Sequence, residues 1–257
     1  MRRILLTALC IITTIVSVNA KTYLLVHGSM TDGTVWYKLK ALLEAKGHKV
    51  VAINLPGHGK DNTNASSVSY ESYISVISDS VKAQAGKVIL VGHSMAGLLI
   101  ASVAEKLTIK IESLVFIAAF MPQSGNSVFE LNATDKQSQF GPNLIVEGSN
   151  TSATMKLDMI ATVFCSDCNM ADKALLVLSH KAEPLAPLAE IISLSKEIYA
   201  QIPKFSIITL FDNAVGNELQ QKLAANSENV KKVFKIKSGH LPFLSKPQKV
   251  ASILLSL

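Results

Sequence analysis

The chain has 257 residues, 49% of them apolar and 17% charged, a composition that supports a sizeable core and excludes intrinsic disorder. Its formal net charge of +6 is spread without a dense basic cluster, so no nucleic-acid partner is expected. The length favours one domain with room for an insertion over two independent ones.

Residues 1–20, MRRILLTALCIITTIVSVNA, read as a secretory signal peptide: basic Arg2 and Arg3, an apolar run from Ile4 to Val18, and small Ala20 at the cleavage position. The apolar run is short of the roughly 20 residues that span a bilayer. Cys10 follows Leu9 rather than the small residue a lipoprotein site requires. The mature protein, residues 21–257, is therefore expected to be secreted or periplasmic, with no stable membrane association; retention of the segment as an uncleaved anchor is the alternative. Removal of Arg2 and Arg3 lowers the net charge to +4.

The mature chain opens with a predicted strand over 21–26, ending at His27-Gly28. Val35, Leu39, Leu42 and Leu43 then recur at helical spacing until Gly47. A second strand over 48–54 closes in the turn Leu55-Pro56-Gly57-His58-Gly59. Tyr70, Ile74, Ile77 and Val81 mark a helix, followed by a strand over 88–91, a helix over 95–106 and a strand over 113–120. Short apolar strands that lack alternation and are separated by helices indicate a parallel sheet covered on both faces. After Pro122 the rhythm breaks. Residues 122–203 read as an inserted cap, helical around 153–163 and 171–178 and punctuated by Pro184, Pro187 and Pro203. A strand over 205–211, a helix over 216–225, a strand over 230–236 and a helix from Pro247 complete the chain.

The segment VILVGHSMAG, residues 88–97, places Ser94 where a strand gives way to a helix. A Gly-x-Ser-x-Gly turn in that position exposes a nucleophilic hydroxyl, and it needs small residues two before and two after the serine. Here those residues are Gly92 and Ala96, with Gly97 expected to loosen the start of the helix. A serine nucleophile needs a base and an orienting acid, which in this arrangement follow in the order acid, then histidine. Only His180 and His240 follow Ser94. His180 lies in the insertion and is expected at a solvated surface; His240 follows the last strand and is the candidate base. Asp212, just past the penultimate strand, is the candidate acid, whereas Asp158, Asp167 and Asp172 lie in the insertion. The backbone N–H groups of Met95, at a helix start, and of Ser29, in the loop after the first strand, are the candidate oxyanion donors. His27, His58 and His93 are expected as supporting loop residues, and Trp36 as core or pocket wall.

Cys165 and Cys168, in FCSDC, allow either a local disulfide or free packed thiols; a zinc site would need a second ligand pair that is missing. Asn64, Asn132 and Asn150 stand in Asn-x-Ser/Thr triplets, which are expected by chance in a chain so rich in asparagine and serine.

The stretches YLLVHGSMTDGTVWYKLKALLEAKGHKVVAINLPGHG, VILVGHSMAG, LVFIAAFMP, EPLAPL and SGHLPFLSKP resemble the α/β-hydrolase superfamily. Within it, the likeness is to bacterial esterase-like hydrolases related to plant methyl esterases and hydroxynitrile lyases. The resemblance implies an α/β-hydrolase fold, a mostly parallel doubly wound sheet of about six strands with an inserted helical cap. It also implies a Ser94–Asp212–His240 triad, a small-molecule ester substrate and no cofactor. Ala96 in place of glycine and Asn213 after the acid depart from the usual pattern. The lyases carry a threonine where this chain has Gly28 and a lysine where it has Leu241. A low-turnover ligand-binding protein and a carbon–carbon lyase are the alternative functions on this scaffold.

Overall fold

The computed structural model describes residues 20–257. The proposed signal segment lies outside the described residues except for Ala20. In chain order the elements before the insertion are β1 Thr22–Val26, α1 Tyr37–Glu44, β2 Lys49–Ile53, α2 Tyr70–Lys82, β3 Val88–His93, α3 Ala96–Lys106 and β4 Ile111–Ile117. The insertion contributes α4 Val128–Ala133, β5 Leu144–Glu147, β6 Ser152–Met155, α5 Ile160–Cys165, α6 Met170–Ser179, β7 Glu183–Pro184 and α7 Ala186–Ala189. The chain then returns through β8 Lys204–Thr209, α8 Asn217–Asn226, β9 Val230–Ile236, α9 Pro242–Ser245 and α10 Pro247–Leu254.

Six strands form one parallel sheet in the order β2-β1-β3-β4-β8-β9. Every residue of β3 is buried, which explains its unbroken apolar run: helices cover both of its faces. Successive side chains of a strand point to opposite faces, and β1 feeds two cores accordingly. Leu24 and Val26 pack with α2 and α3 residues such as Tyr73, Ile77 and Leu99. Tyr23 and Leu25 pack on the other side with Leu39 of α1 and Val250 and Leu254 of α10. Trp36 is fully buried in this second core, its ring 3.9 Å from that of Phe243, so it is core rather than pocket wall.

Three local expectations change. The strand expected over 113–120 runs from Ile111 to Ile117 and stops because Ala118 turns into the left-handed region, φ 47°. The insertion is not purely helical: Ala153–Met155, expected within a helix, lie in Ser152–Met155, the middle strand of a three-stranded antiparallel sheet, β5-β6-β7. Gly148 and Asn150, both at positive φ, turn the chain between β5 and β6, and the hairpin pairing outweighs the weak helical pattern there. Gly97 does not loosen the start of α3. A Cβ on it would lie 1.9 Å from the Phe120 carbonyl oxygen, so glycine lets the chain leaving β4 cross the first turn of α3. Gly92 is held in the same way, with a hypothetical Cβ 2.8 Å from the Ala96 carbonyl oxygen.

Gly97→Ala is therefore expected to destabilise the protein by about 3 kcal/mol, because the obstructing atom is backbone and cannot swing aside. Gly86, with open space at its Cβ position, provides the contrast: Gly86→Ala should be neutral or stabilising by up to about 1 kcal/mol. Urea denaturation of the two variants checks the difference, and equal stabilities would contradict this account of the crossing.

Candidate active site

Parallel pairing brings the carboxyl ends of all six strands to one edge of the sheet, and the residues singled out in the sequence gather there. Ser94 follows β3 in the left-handed region, φ 56°, a conformation that costs a non-glycine residue about 1–3 kcal/mol. Its surroundings hold it there. The Ser94 N–H donates to the Ile117 carbonyl at 3.3 Å, and its own carbonyl accepts from Gly97 at 3.1 Å and Phe120 at 3.2 Å. Gly28 packs directly against it: a Cβ on that glycine would lie 2.8 Å from Ser94 Cβ and 2.6 Å from His93 Nδ1.

Asp212 lies three residues past the end of β8, in a turn whose donors converge on its carboxylate. Oδ1 accepts from the Ala214 N–H at 2.8 Å and the Val215 N–H at 2.9 Å. Oδ2 accepts from Thr209 Oγ1 at 2.6 Å, Gln220 Nε2 at 3.0 Å and His240 Nδ1 at 2.9 Å. With Oδ2 as acceptor, the His240 proton sits on Nδ1 and Nε2 carries the lone pair. That Nε2 is buried and has no hydrogen-bond partner among the described residues. The His240 backbone is fixed as well, since His93 Nε2 donates to its carbonyl at 2.9 Å and the two rings lie 4.4 Å apart. Burial, and then the neighbouring His240, push His93 well below the usual histidine range, so it stays a neutral donor.

The loop after β1 is organised around His27. Its Nε2 accepts the Leu55 N–H at 3.1 Å, which leaves the proton on Nδ1 to be donated to the Gly28 carbonyl at 2.9 Å. Thr31 Oγ1 donates to the same carbonyl at 3.0 Å. In a trans peptide the C=O and N–H point in opposite directions, so these two bonds also aim the Ser29 N–H away from His27. Neither the Ser29 N–H nor the Met95 N–H donates to a protein acceptor among the described residues. Burial, and then the nearby His58 ring, lower the pKa of His27 to about 3.

A small pocket of about 40 Å³ opens onto these groups. Ser29 and Ser94 form its floor, and its walls are apolar: Phe120, Val128, Phe129, Phe140, Leu144, Leu188, Ala214 and Val215, with Asn132 the polar exception. Most of the wall comes from the insertion. Its helix α4 starts in a capping box in which Ser127 and Glu130 exchange bonds, which fixes the helix that presents Val128 and Phe129.

His180 is half-buried rather than solvated, and it lies in the insertion with Nε2 bonded to Thr154 Oγ1 at 2.7 Å and to the Met155 N–H at 3.4 Å. Its ring nitrogen is thus engaged away from Ser94. Cys165 and Cys168 are joined in a disulfide. Two residues of the insertion have roles that the sequence reading did not assign. Asp167, between the cysteines, accepts the N–H of Gly239 at 3.1 Å and so braces the turn carrying His240. Glu183 is fully buried and accepts the Met30 N–H at 2.7 Å, next to Ser29. No spacing in the chain points to either contact; an acidic residue inside the otherwise apolar EPLAPL was the available signal for the second.

A strained serine at a strand-to-helix turn, a carboxylate–imidazole pair after later strands, and two N–H groups without a protein acceptor among the described residues thus share one edge of the sheet. Residues 23–253 match the alpha/beta hydrolase family, and the chain belongs to it. It is 34% identical to "Putative methylesterase 11, chloroplastic" of Arabidopsis thaliana over 91% of this chain, and spans 63% of that longer relative. It is 32% identical to salicylic acid-binding protein 2 of Nicotiana tabacum, covering 93% of this chain and 97% of the relative. The crystal structure of polyneuridine aldehyde esterase superposes with a TM-score of 0.84 at 25% identity, over 93% of this chain and 99% of that one.

The buried histidines give stability a pH dependence. An unfolded histidine titrates near 6.5, so between pH 6.5 and about 3 the unfolded chain binds a proton that folded His27 refuses. Stability from His27 therefore falls as pH drops through that window, and His93 acts in the same direction. His58 opposes them: burial lowers its pKa, but the facing Glu183 carboxylate outweighs burial and leaves it raised, so its contribution is lost as pH rises. Between pH 7 and 5.5, His27→Gln should lose about 1 kcal/mol less stability than the parent protein, measured by urea denaturation at each pH.

Proposed function

We propose that this protein is an esterase that cleaves small carboxylic esters through an acyl-enzyme on Ser94, with His240 as base and Asp212 as the acid that orients it. The observation that carries this is the state of His240. Its Nδ1 is tied to a carboxylate already saturated with donors, and its Nε2 is buried with a free lone pair. Such an imidazole accepts a proton from a serine hydroxyl and can return it. Esterases among the relatives and structural neighbours support the same chemistry.

The proposed steps are these. Ser94 Oγ adds to the ester carbonyl while its proton passes to His240 Nε2. The carbonyl oxygen becomes an oxyanion between the Ser29 and Met95 N–H groups, where each donor is worth roughly 3 kcal/mol. The C–O bond to the alcohol then breaks, and His240 hands its proton to the departing alkoxide. Water repeats the cycle on the acyl-enzyme, releasing the acid and restoring Ser94. The apolar walls suit a small ester with an apolar acyl or alcohol part. The reading of residues 1–20 as a signal peptide supports a secreted or periplasmic site of action. Among the described residues no helix is long and apolar enough to cross a membrane.

Lyase chemistry on this scaffold would need groups that hold a cyanohydrin hydroxyl and a departing cyanide. Gly28 and Leu241 stand at the two relevant positions, and neither offers a side-chain donor or a positive charge.

Ser94→Ala should lower ester hydrolysis by roughly 10⁴-fold or more with the fold intact, and His240→Ala should do nearly the same. His180→Ala should keep activity within about threefold, since its nitrogen serves the insertion. Loss of activity in a stably folded His180→Ala protein would overturn the assignment of the base. Cyanide release from mandelonitrile is expected to stay at the uncatalysed rate. Release that is catalysed, and abolished by Ser94→Ala, would favour the lyase reading.

A further inference from the structure

Glu183 is buried without any exposed surface, on a strand of the insertion, yet its carboxylate faces the sheet domain rather than solvent. Oε2 accepts the Met30 N–H at 2.7 Å and pairs with His58 Nε2 at 3.0 Å. Oε1 accepts from the Tyr73 hydroxyl at 3.3 Å. One side chain of the insertion thus ties together the loop after β1, the turn after β2 and helix α2.

Stability does not explain its presence. Removing a carboxylate and an imidazole from water is costly, and well-packed apolar side chains of the same volume commonly serve a buried position at least as well. What the pair does hold is a strained backbone. Met30 is in the left-handed region, φ 61°, without being glycine. Both its polar groups are tied to the same segment of the insertion: its N–H to Glu183, and its carbonyl to the Lys181 N–H at 3.4 Å.

We propose that Glu183, supported by His58, is a positioning residue that completes the oxyanion hole by fixing the Ser29–Met30 peptide. The proposal rests on the reading of the Ser29 N–H as an oxyanion donor. Two consecutive peptide planes flank Ser29. The Gly28–Ser29 plane is pinned by His27 and Thr31, and the Ser29–Met30 plane by Glu183. A carboxylate suits the second task because charge-assisted bonds to N–H are shorter and stronger than neutral ones. Without it, Met30 is free to leave its strained conformation, and Ser29 is hinged on one side only. The insertion then does more than cover the pocket: it supplies part of the catalytic frame.

The test uses the full chain and a short p-nitrophenyl ester, with Glu183→Ala, Glu183→Gln and Ser94→Ala. Two inhibitors accompany it, an aryl trifluoromethyl ketone and its unfluorinated counterpart. Ser94 Oγ adds to the activated ketone carbonyl, its proton moves to His240, and the resulting hemiketal oxyanion needs the same donors as the reaction. The unfluorinated ketone binds without that addition. Glu183→Ala is expected to lower kcat about 10²-fold, with KM and affinity for the unfluorinated ketone within about threefold of the parent. Affinity for the trifluoromethyl ketone should fall in parallel with kcat. Glu183→Gln keeps an acceptor for Met30 but loses the charge, so about a tenfold loss of both is expected; if the alanine variant does not fold, this variant alone decides. A kcat close to that of the parent in the folded variants overturns the proposal. So does a lowered kcat with unchanged affinity for the trifluoromethyl ketone. If Ser94→Ala retains activity, the functional reading itself fails; if it is inert while the Glu183 variants match the parent, only the role of Glu183 fails.

Discussion

The structure depends on one backbone torsion: Ser94 held at positive φ at the carboxyl end of β3. That torsion projects the hydroxyl off the sheet edge, and the neighbouring chain has to make room for it. Gly28 and Gly92 admit the loop and the turn, and Gly97 admits the strand exit at Phe120. Three bonds, to Ile117 and from Gly97 and Phe120, offset the cost of the torsion. The parallel order of the sheet does the rest, because it brings the ends of β8 and β9 to the same edge.

Around this point the histidines divide their duties by tautomer and burial. His27 and His93 are buried beside other imidazoles, which keeps them neutral, and each uses one N–H to fix a backbone carbonyl. His240 sits against a carboxylate that is already fully engaged, which leaves its second nitrogen available. His58 pairs with Glu183 instead. Four copies of one side chain thus serve three roles because their partners differ. The insertion takes part through Asp167, which holds the Gly239 N–H, and through Glu183, which holds that of Met30.

Much of this was legible from the chain. The unbroken apolar strands announced a sheet buried on both faces, and GHSMAG between a strand and a helix marked the turn at Ser94. Chain order and strand ends selected Asp212 and His240, which the structure joins by a 2.9 Å bond. The insertion was not legible in the same way. Ser152–Met155 is a strand of four residues whose partners are other short segments, too short for a period of two to stand out against a helical pattern. The tight crossing at Gly97 depends on where β4 leaves the sheet, and the contacts of Glu183 depend on how the insertion folds back. Such contacts between distant segments leave no mark in local spacing.

β4 and β8 lie side by side in the sheet although residues 118–203 separate them in the chain. Closing so long a connection costs little more than closing a shorter one, so the insertion is thermodynamically well tolerated. Its consequence is one of timing. Chains are synthesised from the N-terminus, and β1 to β4, with Ser94 among them, can pair while the remainder is still being made. Asp212 and His240 come only with β8 and the turn after β9, and the brace at Asp167 and the anchor at Glu183 arrive in between. A growing or truncated chain therefore carries Ser94 without the Asp212–His240 pair, and assembly of this edge is deferred until the last strand of the sheet is in place.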